Sequence, residues 1–202
     1  MDETQASTAA SAATTAPAAR AEPTGDRDTQ GAGALVMLGT GPAVRFERVL
    51  DSPAEAVWRA LTEPEELRGW FPCEISVDRW EVGASLTFSF PGHAEFTMDG
   101  VVLECDPPRT LAYLWGEETL RFQLEPGSSG SGGTRLVMTD EMAASIAARN
   151  AAGWHVCLDL LAGKPSSEGD EGWRMLFARY SAAFEPTLGP QEGPPEGMEP
   201  SE

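Results

Sequence analysis

The chain has 202 residues and a formal net charge of −18. A surface that acidic repels nucleic-acid phosphate and anionic lipid, so no nucleic acid and no membrane is expected as a partner. No apolar run approaches the roughly 20 residues of a bilayer span, and the opening MDETQASTAA lacks the basic and apolar regions of a secretory signal. The cysteines, Cys73, Cys105 and Cys157, are widely spaced with no Cys-x-x-Cys pair. They read as reduced, mostly buried thiols in a cytoplasmic protein with no metal site and no cofactor.

Residues 1–33 are Ala, Ser, Thr, Gly and Pro with scattered charge, too poor in apolar side chains to offset the entropy of ordering. They are predicted to be a disordered tail, and 186–202, acidic and rich in Pro and Gly, a second one. Between them, 34–185 is the expected folded domain. It opens with LVML and AVRFERVL, two strand-like runs punctuated by GTGP, which suggests a hairpin. In DSPAEAVWRALTEPEELRGWF, Ser52 is expected to cap a helix, with Pro53 at its first position and Glu55 completing a capping box. Thr62 and Glu65 repeat the pattern, and Pro64 opens a second short helix reaching Trp70.

The middle of the chain is β. Leu86, Phe88 and Phe90 alternate with polar residues, as do Leu120, Phe122 and Leu124, and a period of two means a sheet with one face toward a core. FTMDGVVLECDPPRTLAYLWG reads as a long strand, a turn at Asp106-Pro107-Pro108 and another strand, with Gly100 expected to mark a bulge. GSSGSGG (127–133) is a hairpin loop leading into TRLVMTD. It lacks the Lys and the following helix of a phosphate-binding loop. From about Met142, apolar residues recur at helical spacing through Ile146, Trp154, Cys157, Leu158 and Leu161, and Gly163 and Pro165 end that helix. GWRMLFARYSAAF then resumes with Trp173, Leu176, Phe177, Tyr180 and Phe184 on one stripe. The fold class is α+β, an antiparallel sheet whose apolar face is covered by the C-terminal helix.

Segments 45–72 (RFERVLDSPAEAVWRALTEPEELRGWFP), 80–90, 105–116, 120–126, 133–142 and 151–163 together resemble the SRPBCC superfamily, also called START-like or Bet v-like. The branch that they resemble comprises homologues of the activators of the heat-shock protein 90 ATPase. The resemblance implies a helix-grip fold, in which a curved antiparallel sheet wraps around a long C-terminal helix and two short helices follow the first strand. It also implies a cavity for an apolar small molecule between sheet and helix. Superfamily members include lipid carriers, hormone receptors, polyketide cyclases and co-chaperones, so the fold alone does not choose a function. Binding of an apolar small molecule is the leading expectation. A chaperone cofactor or other protein-interaction module is the alternative, and a cyclase or hydrolase-like enzyme with a pocket carboxylate is the third.

No catalytic residue is assigned. His93 lies at a turn and His155 beside Trp154 on a helix, neither in a recognisable nucleophile pattern. Glu95, Asp99 and Glu104 share a strand stretch, and Glu104 interrupts an apolar run, which makes it the pocket carboxylate to inspect; an outward, solvated position is the plainer reading. Trp70, Phe71 and Trp115 sit at element ends where a pocket mouth would lie. With Phe88 and Trp154 they complete the expected ligand-binding set, although ordinary core packing accounts for the same residues.

Overall fold

The structure, a computed structural model, describes residues 31–127, 132–164 and 169–194, without the side chains of 93–95, 169 and 170. Of the tails expected at 1–33 and 186–202, residues 1–30 and 195–202 lie outside the described residues, as does the centre of the Gly/Ser loop.

Eight strands form one antiparallel sheet in the order β1-β2-β8-β7-β6-β5-β4-β3. The expected hairpin is β1 (Ala34–Met37) and β2 (Pro42–Leu50), and two short helices follow it, α1 (Ala54–Thr62) and α2 (Pro64–Leu67). The next strands are β3 (Glu74–Ser76), β4 (Ser85–Phe90), β5 (His93–Asp106), β6 (Thr110–Trp115), β7 (Glu118–Pro126) and β8 (Thr134–Glu141). A 3₁₀ turn (Ala144–Ile146) leads into α3 (Ala147–Leu161), and α4 (Gly169–Leu188) follows. The N-terminal hairpin joins the last strand where β2 pairs with β8, Phe46 opposite Met138. This is the α+β helix-grip architecture, a curved open sheet around α3.

The inward residues are those that the alternation marked. Leu86 and Phe88, then Leu120, Phe122 and Leu124, are buried against the helices. Burial of such side chains contributes about 1.5–3 kcal/mol each. Along α3, Trp154 and Leu158 are buried together with Ala147, Ala148, Ala151 and Ala152. The small alanine methyls let the helix approach its neighbours closely. Strand β5 is long because it serves both halves of the sheet, pairing with β4 through Val101 and with β6 from Val102 onward.

Several local expectations differ. Neither capping box forms: α1 starts after Pro53, whose carbonyl accepts from the Ala56 and Val57 N–H, and no side chain caps either helix. The carbonyl of Ser52 is instead taken by the Thr134 hydroxyl at 2.7 Å, while Thr62 Oγ1 donates back to the carbonyl of Trp58 at 2.8 Å. Gly100 is not a bulge; it is paired with Leu86, and register shifts fall at Ser89/Phe90 and Val102/Glu104. Glycine is required at 100 because a Cβ would stand 2.1 Å from the carbonyl oxygen of Leu114.

At the C-terminal end, α4 continues past the boundary expected at 185 to Leu188. Residues 189–193 then fold back on the start of α3. Gln191 Oε1 accepts the Ala148 N–H at 2.9 Å and its Nε2 donates to the Ala144 carbonyl at 3.1 Å. The Glu192 N–H reaches the Ser145 carbonyl at 2.7 Å. At the other end of the domain, Gly31 and Gly33 are also tied down, by the Arg48 guanidinium and the Tyr180 hydroxyl.

Gln191 thus supplies the cap that α3 lacks locally. Gln191→Ala is expected to cost about 0.5–2 kcal/mol in urea unfolding, the usual worth of a helix cap. Unchanged stability would show that 189–193 only rests on the surface.

Candidate functional site

A cleft of about 610 Å³ opens between the first half of α3 and the ends of the β4–β5 and β6–β7 hairpins. Its apolar wall comprises Phe90, Phe96, Met98, Trp115, Ile146 and Trp154. Its polar end is formed by Glu117, Glu118, Arg149 and Asn150. Gly153 lies on the helix side with nothing within 4 Å of where a Cβ would sit, so the cleft runs up against bare helix backbone there.

Two residues of the expected ligand set, Trp115 and Trp154, line the cleft, their rings 4.9 Å apart edge to face. Three others form the layer behind them. Phe71 packs on Trp115 and Trp154 at 5.7 and 5.5 Å. Phe88, fully buried, touches Trp115 at 6.2 Å, and Trp70 stacks edge-on against Phe71 while its indole N–H donates to the Ala60 carbonyl. Glu104 is not brought to the cleft. It is half-exposed and ion-paired with Arg121 on β7. Its neighbour Val102 takes the inward position, and the register shift between them sets Glu104 apart from that alternation. Asp99 is exposed, and the side chains of His93 and Glu95 lie outside the described residues.

The carboxyl groups at the cleft are ones that the sequence pattern did not single out. Asn150 Nδ2 donates to Glu118 Oε2 at 2.9 Å and to Asp140 Oδ2 at 3.0 Å, joining two acids through one amide. The Trp154 indole N–H also donates to Asp140 Oδ2, at 3.0 Å. Asp140 is fully buried, and its Oδ1 has no partner among the described residues. Burial raises the Asp140 pKa well above the usual carboxylate range, and the nearby Glu118 raises it further. Burial likewise raises that of Glu118, against the lowering effects of Asn150 and Arg149. The signal in the sequence was an acid at the end of the TRLVMTD strand, one turn-spacing of helix away from Trp154 through Asn150. That pairing becomes visible only once strand and helix are packed.

The thiol at the cleft is chemically quiet. Burial pushes Cys157 up to about 12, and Cys73 to about 12, so neither supplies a thiolate nucleophile near neutral pH. His155 faces away from the cleft: the Tyr180 hydroxyl, which accepts the Gly33 N–H at 2.7 Å, bonds its Nδ1 at 2.8 Å. Its Nε2 lies 3.5 Å from Asp159, which also pairs with the buried Arg48 at 3.0 Å. Burial lowers the His155 pKa, so the ring is neutral and serves to tie α4 to α3 and β2.

A curved sheet gripping one long helix, with a one-sided aromatic cleft between them, defines the helix-grip class. Residues 51–163, just over half of the chain, match the family described as activator of Hsp90 ATPase homolog 1-like protein, and the chain belongs to that family. Among solved structures, a conserved protein of unknown function from Enterococcus faecalis, EF2215, superposes with a TM-score of 0.63 at 19% identity, over 75% of this chain and 89% of that one. CalU16 from Micromonospora echinospora gives 0.59 at 21% identity, over 77% and 97%. The protein encoded by gene BPP1335 of Bordetella parapertussis gives 0.56 at 26% identity, over 80% and 92%. No curated protein sequence matches the chain significantly.

Two outcomes follow from the site. Gly153→Ala should stabilise the protein by about 0.5–1 kcal/mol, because it gains helix propensity and meets no neighbour; destabilisation would mean that the cleft is closed at that point. The acid pair makes the second. Carboxyls whose folded pKa is raised bind more protons in the folded state, so their contribution falls as pH rises from about 4 upward. Asp140→Asn removes that penalty. Its stability relative to the parent chain should therefore increase as pH rises above about 4 in urea titrations, and a flat difference would contradict a raised Asp140 carboxyl.

Proposed function

We propose that this protein binds a small, predominantly apolar molecule in the cleft between α3 and the sheet. The observation that supports the reading most is the cleft itself, about 610 Å³ with an aromatic wall and a few convergent polar groups at one end. Ligand sites typically occupy about 300–1,000 Å³ with that division of lining. Trp115 and Trp154 are the central wall residues, with Phe71, Phe88 and Trp70 supporting them from behind. Apolar burial would drive binding, at about 25 cal/mol per Å² before the costs of association. A negative heat-capacity change should accompany it. The role is that of a binding domain; the thiol and histidine chemistry described above supplies no nucleophile at the cleft.

The test combines native mass spectrometry of the freshly purified protein with a thermal-shift screen of fatty acids, aromatic polyketides and sterol-like compounds. A ligand should raise the melting temperature with the logarithm of its concentration above its dissociation constant. Gly153→Phe, which places a ring in the cleft, should abolish that shift and any co-purified mass, whereas Gly153→Ala should keep them. If no compound shifts melting, or if Gly153→Phe binds as well as the parent, the reading fails. A protein-interaction role, with a partner captured on another surface, would then lead.

A further inference from the structure

The polar end of the cleft has an unequal supply of donors and acceptors. Both amide hydrogens of Asn150 are committed, one to Glu118 and one to Asp140. Its Oδ1 is therefore what it offers to an occupant. Glu118 accepts through Oε2, and its Oε1 accepts no hydrogen bond among the described residues. On the lining, Arg149 directs Nη1 at the Gly193 carbonyl, 3.3 Å away, and its charge favours the ionised form of Glu118, while the Trp115 indole N–H has no partner among the described residues. An occupant placed between Glu118 and Asn150 meets two free oxygens, Glu118 Oε1 and Asn150 Oδ1.

The electrostatics point the same way. Behind Asn150 stands Asp140, fully buried, with Oδ1 unpartnered. Two acids held 2.9 and 3.0 Å from the same amide nitrogen repel one another when both are ionised, and a positive charge placed beside them would relieve that cost. The lining itself carries two acids, Glu117 and Glu118, against one guanidinium, Arg149. The faces of Trp115 and Trp154 attract cations through their ring quadrupoles, and the net charge of −18 raises the local concentration of any cation.

We propose, resting on the ligand-binding reading above, that the occupant is an apolar amine, with its protonated nitrogen donating to Glu118 Oε1 and Asn150 Oδ1 and its apolar body lying along Trp115, Trp154, Phe90 and Met98. An ammonium carries up to three donors and no acceptor, which suits the free oxygens of Glu118 and Asn150. Asp140 acts through Asn150 as a positioning residue; it holds the amide in the orientation that leaves Oδ1 facing the cleft.

Three probes of matched apolar area separate the head group from the body: 1-naphthylmethylamine, 1-naphthalenemethanol and 1-naphthoate, each titrated calorimetrically at pH 7 into the full chain. The amine should bind on the order of tenfold tighter than the alcohol, as a charge-assisted hydrogen bond allows, and the carboxylate should bind weakest. E118Q, which keeps the shape and the oxygen that Asn150 needs, should erase the advantage of the amine over the alcohol. Equal binding of amine and alcohol, a preference for the carboxylate, or an E118Q chain that keeps the preference would each overturn the proposal while leaving an apolar cleft in place. Should E118Q fail to fold, the order of the three probes on the parent chain decides by itself. If none of the three binds, the ligand-binding reading falls with it.

Discussion

The side chain of Trp154 carries two jobs that cannot be separated. Its ring is wedged among Phe71 and Trp115, where it fixes the distance between α3 and the sheet. Its indole N–H is spent on Asp140, a buried acid that would otherwise hold only the Asn150 amide. A buried carboxyl is costly unless donors reach it, and a buried indole N–H is costly unless an acceptor does. The helix can therefore sit at one height and one rotation on the sheet, and the cleft beside it inherits its shape from that fit. The same contact explains why the acid pair persists: packing on the aromatic side holds the helix in place while the polar side remains only partly satisfied.

Around this contact the molecule separates two polar systems on opposite faces of one helix. Cleft-side residues Asn150, Gly153, Trp154 and Cys157 alternate along α3 with His155 and Asp159, which face α4 and β2. The cleft side is open and left with spare acceptors. On the other side, Arg48, Asp159, His155, Tyr180 and the backbone of Gly31 and Gly33 form a mostly closed set of donors and acceptors. Structural polarity and cleft polarity are thus kept apart by the thickness of a helix.

The period-two runs were enough to identify most of the sheet, because each strand buries one face and the alternation records it. Strand β3 has only three residues, Glu74–Ser76, too few for a period to register. The capping boxes were written in the sequence yet unused: the Ser52 carbonyl accepts the Thr134 hydroxyl, and the Thr62 hydroxyl donates back to the Trp58 carbonyl. The aromatic half of the site was legible from Trp115 and Trp154 at element ends. The acid half was not. Glu104 drew attention by interrupting an apolar run, but a register shift separates it from Val102, the inward residue. Asp140 looked like an ordinary strand end, and only the fold shows that β8 delivers it beneath α3. The role of Gln191 was equally hidden, because a cap supplied from 43 residues away leaves no local pattern.

That last feature bears on how the protein is made. Synthesis runs from the N-terminus, and a helix can form as soon as its residues and the sheet beneath it have emerged. The opening turn of α3 is different: the Ala148 N–H and the Ala144 carbonyl find their partners only when Gln191 has left the ribosome and α4 has turned back across the domain. Until then the wall of the cleft that holds Ile146, Arg149 and Asn150 has a frayed edge. The nascent domain therefore passes through a stage in which its sheet is complete and its cleft is not, and residues 189–193 decide when the cleft is finished.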